Sequence, residues 1–447
     1  GAQRGDKVVA RITKYPDREN SAEGRIIEII SRAGQPGGDI KTIARSYDMR
    51  ESFPSRAAAE AKAMKKRGIR PEDLTGRRDL RKETIFTIDG ADSKDFDDAV
   101  SLKILDNGNY LLGVHIADVA HYVEEDGPLD KEALKRGTSV YLIDQVIPML
   151  PKALSNNICS LNPGEDRLTL SVDMEITPDG ELAGHEIYES VIHSKARLVY
   201  DDISDMLEND DEEMLRKYSS IKEDLYAMGR LAAVLREKRS QRGSLDFDLD
   251  EAHIRLNDKG IPVSVDIAER RTANKLIEEF MLLANETVAE HFFWLEVPFI
   301  YRIHEKPAFE KVEQLKIFLQ SMGMTLRGSA DSVHPRELSS ILKSVEGKPS
   351  EGVVNTVTLR SMQKAFYGTS CEGHFGLALK YYCHFTSPIR RYPDLMIHRI
   401  IKSVLQDGID VKKMSHFRGA AEEAAEQSSA AERKAIEVER EVEKLKK

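Results

Sequence analysis

Cysteine is scarce, with three in 447 residues: Cys159, Cys371 and Cys383. Three thiols cannot build a disulfide framework, and no C-x-x-C pair offers the ligand spacing of a zinc site. No stretch of about 18 uncharged apolar residues occurs, which excludes a membrane-spanning helix. The opening Gly1-Ala2-Gln3-Arg4-Gly5-Asp6 carries no apolar signal region. A reducing cytoplasm, with no membrane partner, is the expected setting. An excess of basic charge is also missing: 66 Lys and Arg stand against 76 Asp and Glu, for a net charge of −10. That disfavours a protein that coats nucleic acid through a broad basic surface, but not an enzyme with a local basic channel. Walker A, G-x-S-x-G, H-E-x-x-H and G-x-G-x-x-G patterns are absent. NTPase, serine hydrolase, zincin and Rossmann readings therefore lose their usual signals, and no nucleotide cofactor is expected.

A hydrophobic content of 40% is that of a folded chain. Its length exceeds what one core normally holds, so about two to four folding units are expected. Alternating residues at 7–12 and 24–30 predict two strands, too few for an independent β domain, so the chain is expected to open partway through one. Residues 57–66 predict a short helix leading into a stretch, 62–82, with nine Lys and Arg against three acidic residues. That stretch reads either as a solvated linker or as a phosphate-contacting wall. A β-rich block covers 84–191. Its clearest unit is a hairpin in which Asp106-Asn107-Gly108-Asn109 turns between strands 99–105 and 110–116. Residues 201–240 turn helical and acidic. An amphipathic helix at 271–293 aligns Ile277, Met281, Ala284, Val288 and Phe292. Further helices are expected from Pro388 to about Leu405 and over 416–447. The last carries Ala435, Val438, Val442 and Leu445 at helical spacing and stops without a cap, as an interrupted chain would. No internal repeat is apparent.

The segment from Thr87 to Val100 places five aspartates, Asp89, Asp92, Asp95, Asp97 and Asp98, in ten residues between two apolar strands. Like charges gathered at one sheet end repel unless a cation neutralises them. Hard oxygen donors select Mg²⁺ or Mn²⁺, as in two-metal phosphoryl chemistry. A calcium-stabilised turn and a solvated acidic loop are the alternatives. An EF-hand starting at Asp95 fails, because its sixth position is Val100. In Thr386-Ser387-Pro388-Ile389-Arg390-Arg391-Tyr392, Ser387 suits an N-cap and Pro388 the first helical position. Free amides there and either arginine could hold phosphate, whereas the plainer reading is a capped helix with surface arginines. Tyr141 and Tyr392 could stack on bases or simply fill core. Adjacent Glu278 and Glu279 can offer only one side chain to a given buried site. Arg302-Ile303-His304 follows a strand-like run, where a lone histidine is more often structural.

These residues together resemble the RNB-type exoribonucleases. The signature is Ile88-Asp89-Gly90-Ala91-Asp92-Ser93-Lys94-Asp95-Phe96-Asp97-Asp98-Ala99. Support comes from His115-Ile116-Ala117-Asp118-Val119, Tyr141 with Ile147–Pro151, Leu276–Met281, Arg302-Ile303-His304 and Thr386–Asp394. They stand in the family's order over about 80–405, and the details favour its ribonuclease R branch over ribonuclease II. The resemblance implies an α/β RNB fold, a mixed sheet with surrounding helices, preceded by part of an OB-type cold-shock barrel. Its expected divisions are 1–50 (OB remnant), 51–80 (basic linker), 81–405 (catalytic domain) and 406–447 (a helix leading toward an absent S1 domain). It implies processive 3′→5′ hydrolysis of single-stranded RNA with a free 3′ end to nucleoside 5′-monophosphates, by a protein expected to be monomeric. By motif position, Asp89, Asp95, Asp97 and Asp98 would be the Mg²⁺-site carboxylates and Arg390 would hold the phosphate being cut. Tyr141 would stack on the terminal nucleotides, and one of Glu278 and Glu279 would lie near them. Arg302, His304, Ser387, Arg391 and Tyr392 join the expected RNA contacts. A catalytically silent RNA-binding relative is the competing reading. A structural calcium-binding protein would explain the aspartates but neither Arg390 nor Tyr141.

Overall fold

Most of the β-rich block joins one seven-stranded sheet in a computed structural model that describes residues 1–18, 20–247, 251–257, 261–329 and 332–446. At the N-terminus, β1 (Lys7–Lys14) and β2 (Glu23–Ser31) pair antiparallel, followed by α1 (Gly38–Ser46) and α2 (Ser55–Arg67). Next come β3 (Arg78–Asp79), β4 (Phe86–Asp89), β5 (Asp98–Ile104) and β6 (Tyr110–Ala117). After α3 (Pro128–Arg136), β7 (Val140–Tyr141) and β8 (Val146–Ile147) make a small ribbon. The strands β9 (Asp166–Ile176), β10 (Leu182–His193) and β11 (Ala196–Val199) complete the sheet. Its order is β11-β4-β5-β6-β9-β10-β3, parallel at both outer pairs and antiparallel between. The β5–β6 hairpin turns where expected, with Gly108 at φ +84°, a backbone conformation that favours glycine.

Helices α4 (Tyr200–Asn209), α5 (Glu212–Lys217) and α6 (Lys222–Arg242) occupy the acidic stretch, and β12 (Glu251–Leu256) pairs with β13 (Pro262–Ala268). Then come α7 (Thr272–Trp294), β14 (Tyr301–Ile303), α8 (Phe309–Ser321), α9 (Pro335–Val345) and α10 (Glu351–Ser361). The chain continues through β15 (Phe366–Gly368), α11 (Tyr392–Asp407) and α12 (Val411–Lys446). None of the described helices is long and apolar enough to cross a membrane.

Among the described residues, three apolar clusters hold these elements. The largest joins Ile88, Val100, Ile116 and Val172 of the sheet to Phe280, Ala284, Val288 and Phe292 of α7 and to Leu395 and Ile401 of α11. Sheet strands covered on both faces read as near-continuous apolar runs, which is why the block looks so hydrophobic. A second cluster, with Val312, Leu315, Leu319, Leu338 and Ile341, closes the α8–α10 lobe. The third packs Ile40 and Ala44 of α1, Val140 and Ile147 of the ribbon, and Ala435, Val438 and Val442 of α12. Leu445 was expected on that face, but it is half exposed.

One expectation is corrected. The helix expected from Pro388 begins at Tyr392; Pro388–Arg390 form a turn and Arg391 bridges to Thr138. Ser387 is therefore a buried loop residue, not an N-cap. The 62–82 stretch, open between a solvated linker and a phosphate-contacting wall, has five of its nine basic residues in ion pairs and its four lysines exposed. Arg67 and Arg70 pair with Asp73, Arg77 with Asp118 and Glu189, Arg78 with Glu186, and Arg81 with Asp79 and Asp166. Arg67 and Arg70 brace the segment internally, whereas Arg77, Arg78 and Arg81 tie it to the sheet and the loop after β6.

Candidate active site

Strand direction explains the acidic cluster. Because β4 and β5 run antiparallel, the end of one (Asp89) and the start of the other (Asp98) meet at the same end of the sheet. The loop between them carries Asp95 and Asp97. Burial raises the pKa of all four carboxyls above the ordinary value. Asp89 is pushed up to about 8 by burial and by the charges of Asp98 and Asp95. Asp98 is pushed up to about 6 by burial, opposed by Arg390 and Arg391. Asp97, 4% exposed, lies well above its usual value through burial and the charges of Asp95 and Asp98, against the pull of Arg390 and the Ile389 amide. Asp89 Oδ2 is buried without a hydrogen-bond partner, which is costly for a carboxylate oxygen unless something positive reaches it.

That donor set fits a hard divalent cation: every ligand atom is a carboxylate oxygen, and one is orphaned. Among the described residues, no three His, Cys, Asp or Glu side chains already surround one point at ligand spacing. Mg²⁺ does not need such a cage. It takes one or two carboxylates and fills its octahedron with water and substrate phosphate.

The Arg390 turn is bonded directly to this cluster. The Ile389 amide donates to Asp97 Oδ1 at 2.8 Å, and Arg390 Nε lies 3.9 Å from Asp97 Oδ2. Arg390 Nη2 donates to Ser387 Oγ at 3.0 Å, which steadies a guanidinium that remains 40% exposed. On the other side of the turn, Ser139 donates its amide to the Arg390 carbonyl at 2.9 Å, and the Tyr392 amide donates to Gly137. Two residues beyond Ser139 stands Tyr141, a residue 45% exposed, its hydroxyl within the fields of Arg390, Asp95 and Asp97. Four carboxylates, one arginine and one half-exposed aromatic thus converge, although the sequence separates them by up to 300 residues.

Other expected contacts are occupied elsewhere. Tyr392, expected to stack on a base, is 3% exposed, and its hydroxyl donates to Asp130 and accepts from Arg399. No face is left for a base, so that expectation is corrected. Arg391 forms a fork with Asp394 at 2.8 and 2.9 Å. Ser387 is buried, donating its amide to Asp394. Arg302 is forked onto Glu432 at 2.7 and 2.9 Å. Both ring nitrogens of His304 meet backbone groups, of Gln363 and Gly376. Glu279 is buried against Arg239 at 2.8 Å. Glu278, held by Arg270 at 2.5 Å, lines an open cleft of about 1190 Å³ with Phe247, Arg271 and Lys275. Of the two glutamates, Glu278 is the accessible one.

The structure adds residues that sequence reasoning passed over. β11 runs parallel to β4 with Val199 opposite Asp89, so Tyr200 emerges beside the aspartates, in the fields of Asp98, Asp89 and Arg390. Arg197 Nη2 donates to the carbonyls of Gly90 and Ala91 at 2.8 and 2.5 Å, tying down the start of the acidic loop. Both lie beyond the 84–191 block, and no motif in the sequence marked them.

Comparison with known proteins matches the sequence and fold to one family. The RNB domain family matches residues 77–407 and the cold shock domain family residues 1–54. Ribonuclease R 1 of Lactococcus lactis is 45% identical over 446 residues, covering 99% of this chain and 54% of that protein. Ribonuclease R of Thermotoga maritima is 45% identical over 452 residues, covering 100% and 63%. The chain thus spans between half and two thirds of the length of these relatives. The structure of Mycoplasma genitalium RNase R in complex with ribose methylated single-stranded RNA matches with a TM-score of 0.91 at 28% identity, covering 99% of this chain and 69% of that one. The same enzyme in complex with double-stranded RNA matches at 0.89 and 29%, covering 98% and 78%. An aspartate-lined sheet end, an arginine turn bonded to it and a match over three quarters of the chain give one conclusion: this chain belongs to the RNB family, and its relatives are ribonuclease R proteins.

Proposed function

We propose that this chain is the catalytic part of a processive 3′→5′ exoribonuclease that hydrolyses single-stranded RNA to nucleoside 5′-monophosphates, acting as a cytoplasmic monomer and requiring Mg²⁺ or, in its place, Mn²⁺. One observation carries the reading: the Asp97 carboxylate accepts the Ile389 amide, so the acidic loop and the Arg390 turn form a single unit. Asp89, Asp95, Asp97 and Asp98 are the carboxylates to hold the cation. Bound there, it would supply positive charge against four carboxylates and against the phosphate oxygens as charge develops in hydrolysis. Arg390 offers its exposed guanidinium to the same phosphate, with its approach set by Ser387 Oγ. Tyr141 offers a ring face to a base near the 3′ end. Arg391, locked to Asp394, holds the turn in place. Glu278, expected near the terminal nucleotide, lines a separate cleft that shares no lining residue with the four site aspartates, Tyr141 or Arg390.

The test is incubation of the protein with uniformly labelled single-stranded RNA, with Mg²⁺ and with a chelator. The proposal expects, with metal only, labelled mononucleotides and a short end product without a ladder of intermediates. Binding without release would instead support the catalytically silent relative. Equal release in chelator would overturn the metal assignment.

A further inference from the structure

The β7–β8 ribbon that carries Tyr141 has only two residues in each strand. So short a pairing has little stability of its own. Tyr141 faces Val146 across it, and the Tyr141 amide finds its acceptor outside the ribbon: Glu439 Oε1 on α12, at 3.1 Å. The two residues are 298 apart in sequence. The flanking side chains Val140 and Leu142 pack with Ala435, Val438 and Val442 from the same stretch of α12.

α12 is itself fastened along its length. Ser429 Oγ accepts the Tyr367 amide at 2.9 Å, Glu432 holds Arg302, and Lys446 pairs with Asp39 at 2.8 Å. Glu432 and Glu439 are seven residues apart, close to two turns, so they share a face of the helix. Glu439 is half-buried, and the Tyr141 amide favours its ionised form against the cost of burial.

We propose that Glu439 is a positioning residue: it holds the backbone of Tyr141 so that the ring stays at the site, and through it α12 governs how short an RNA the protein retains. This rests on the proposed stacking role of Tyr141, and the test separates the two. Affinity for a five-nucleotide single strand is measured in chelator, where no cleavage is needed, for wild type, E439A, E439Q, Y141A and the E439A/Y141A pair. Hydrogen exchange of the Tyr141 amide is followed in the RNA-free protein.

E439A should speed exchange of that amide and weaken short-RNA binding roughly fivefold or more, though by no more than Y141A does. E439Q retains an acceptor oxygen and should bind within about twofold of wild type. In the Y141A background, E439A should cost nothing further. The proposal is overturned if E439A binds as wild type does, if E439Q fails as E439A does, or if E439A weakens binding further when Tyr141 is already gone. Should Y141A itself bind normally while the amide exchanges faster in E439A, the contact is real and the stacking role of Tyr141 is wrong.

Discussion

Replacing Asp98 with Asn removes one negative charge from the sheet end and keeps the side-chain volume. In the metal-free fold, burial pushes this carboxyl from 3.8 to about 6, a difference of about 3 kcal/mol between its protonation states. An acid whose pKa rises on folding is harmless while protonated. It weakens the fold as pH climbs from 3.8 through 6, and the deficit is complete above that. Asp98→Asn should therefore be more stable than wild type by up to about 3 kcal/mol at pH 8 in chelator, and the advantage should close near pH 4. Activity should move the other way, falling on the order of 10³-fold, the scale of losing a major electrostatic stabiliser. RNA affinity, set by phosphate contacts elsewhere, should be largely retained. Denaturant titrations at pH 4, 6 and 8 would be set beside mononucleotide release and RNA binding. Activity above a tenth of wild type, or equal stability at pH 8, would refute the reasoning. A variant that loses activity and stability together would point to a structural carboxylate instead.

Tyr141→Ala should lengthen the limit product while long RNA is still shortened, since stacking is worth about 1–3 kcal/mol per base; an unchanged limit length on a denaturing gel would make Tyr141 a packing residue. Arg390→Lys keeps the charge but loses the fork and the bond to Ser387, so kcat should fall about 10²-fold; near-wild-type turnover would reduce its role to charge alone. Lys402→Met breaks a buried network in which Arg77 and Lys402 both hold Asp118 and Glu189, at a cost of about 3–5 kcal/mol. Those cations hold the Asp118 carboxyl well below its usual range despite burial. Its contribution is thus present above about pH 4 and fades only as pH falls through that depressed value. Denaturant midpoints unchanged between wild type and Lys402→Met at pH 7 would contradict this.

Local patterns were legible because their physics is local. The β5–β6 hairpin follows from an Asn-Gly turn between apolar strands, and the buried face of α7 from residues three and four apart. The acidic loop announced itself because its members are neighbours in sequence, and the strands flanking it told that both of its ends lie at one end of a sheet. Tyr392 misled for the complementary reason. An aromatic beside two arginines suggests a nucleic-acid contact, yet only the fold brings Asp130 and Arg399 to its hydroxyl.

By itself, the sequence determined the β-rich block with its hairpin, the helices α2, α7 and α12, the place of the carboxylates and the family resemblance, all of which depend on residue type and spacing along the chain; α8–α10 and the β12–β13 pair were not read from it. Tertiary structure alone decided which groups meet. It set the Ile389 amide on Asp97, placed Ser139 against the Arg390 carbonyl, brought Tyr200 to the aspartates, and turned Glu278 rather than Glu279 to open space. Periodicity reports the face on which a side chain lies. It carries no information about what a segment hundreds of residues away will present to that face, because that pairing is selected by the packing of the whole core.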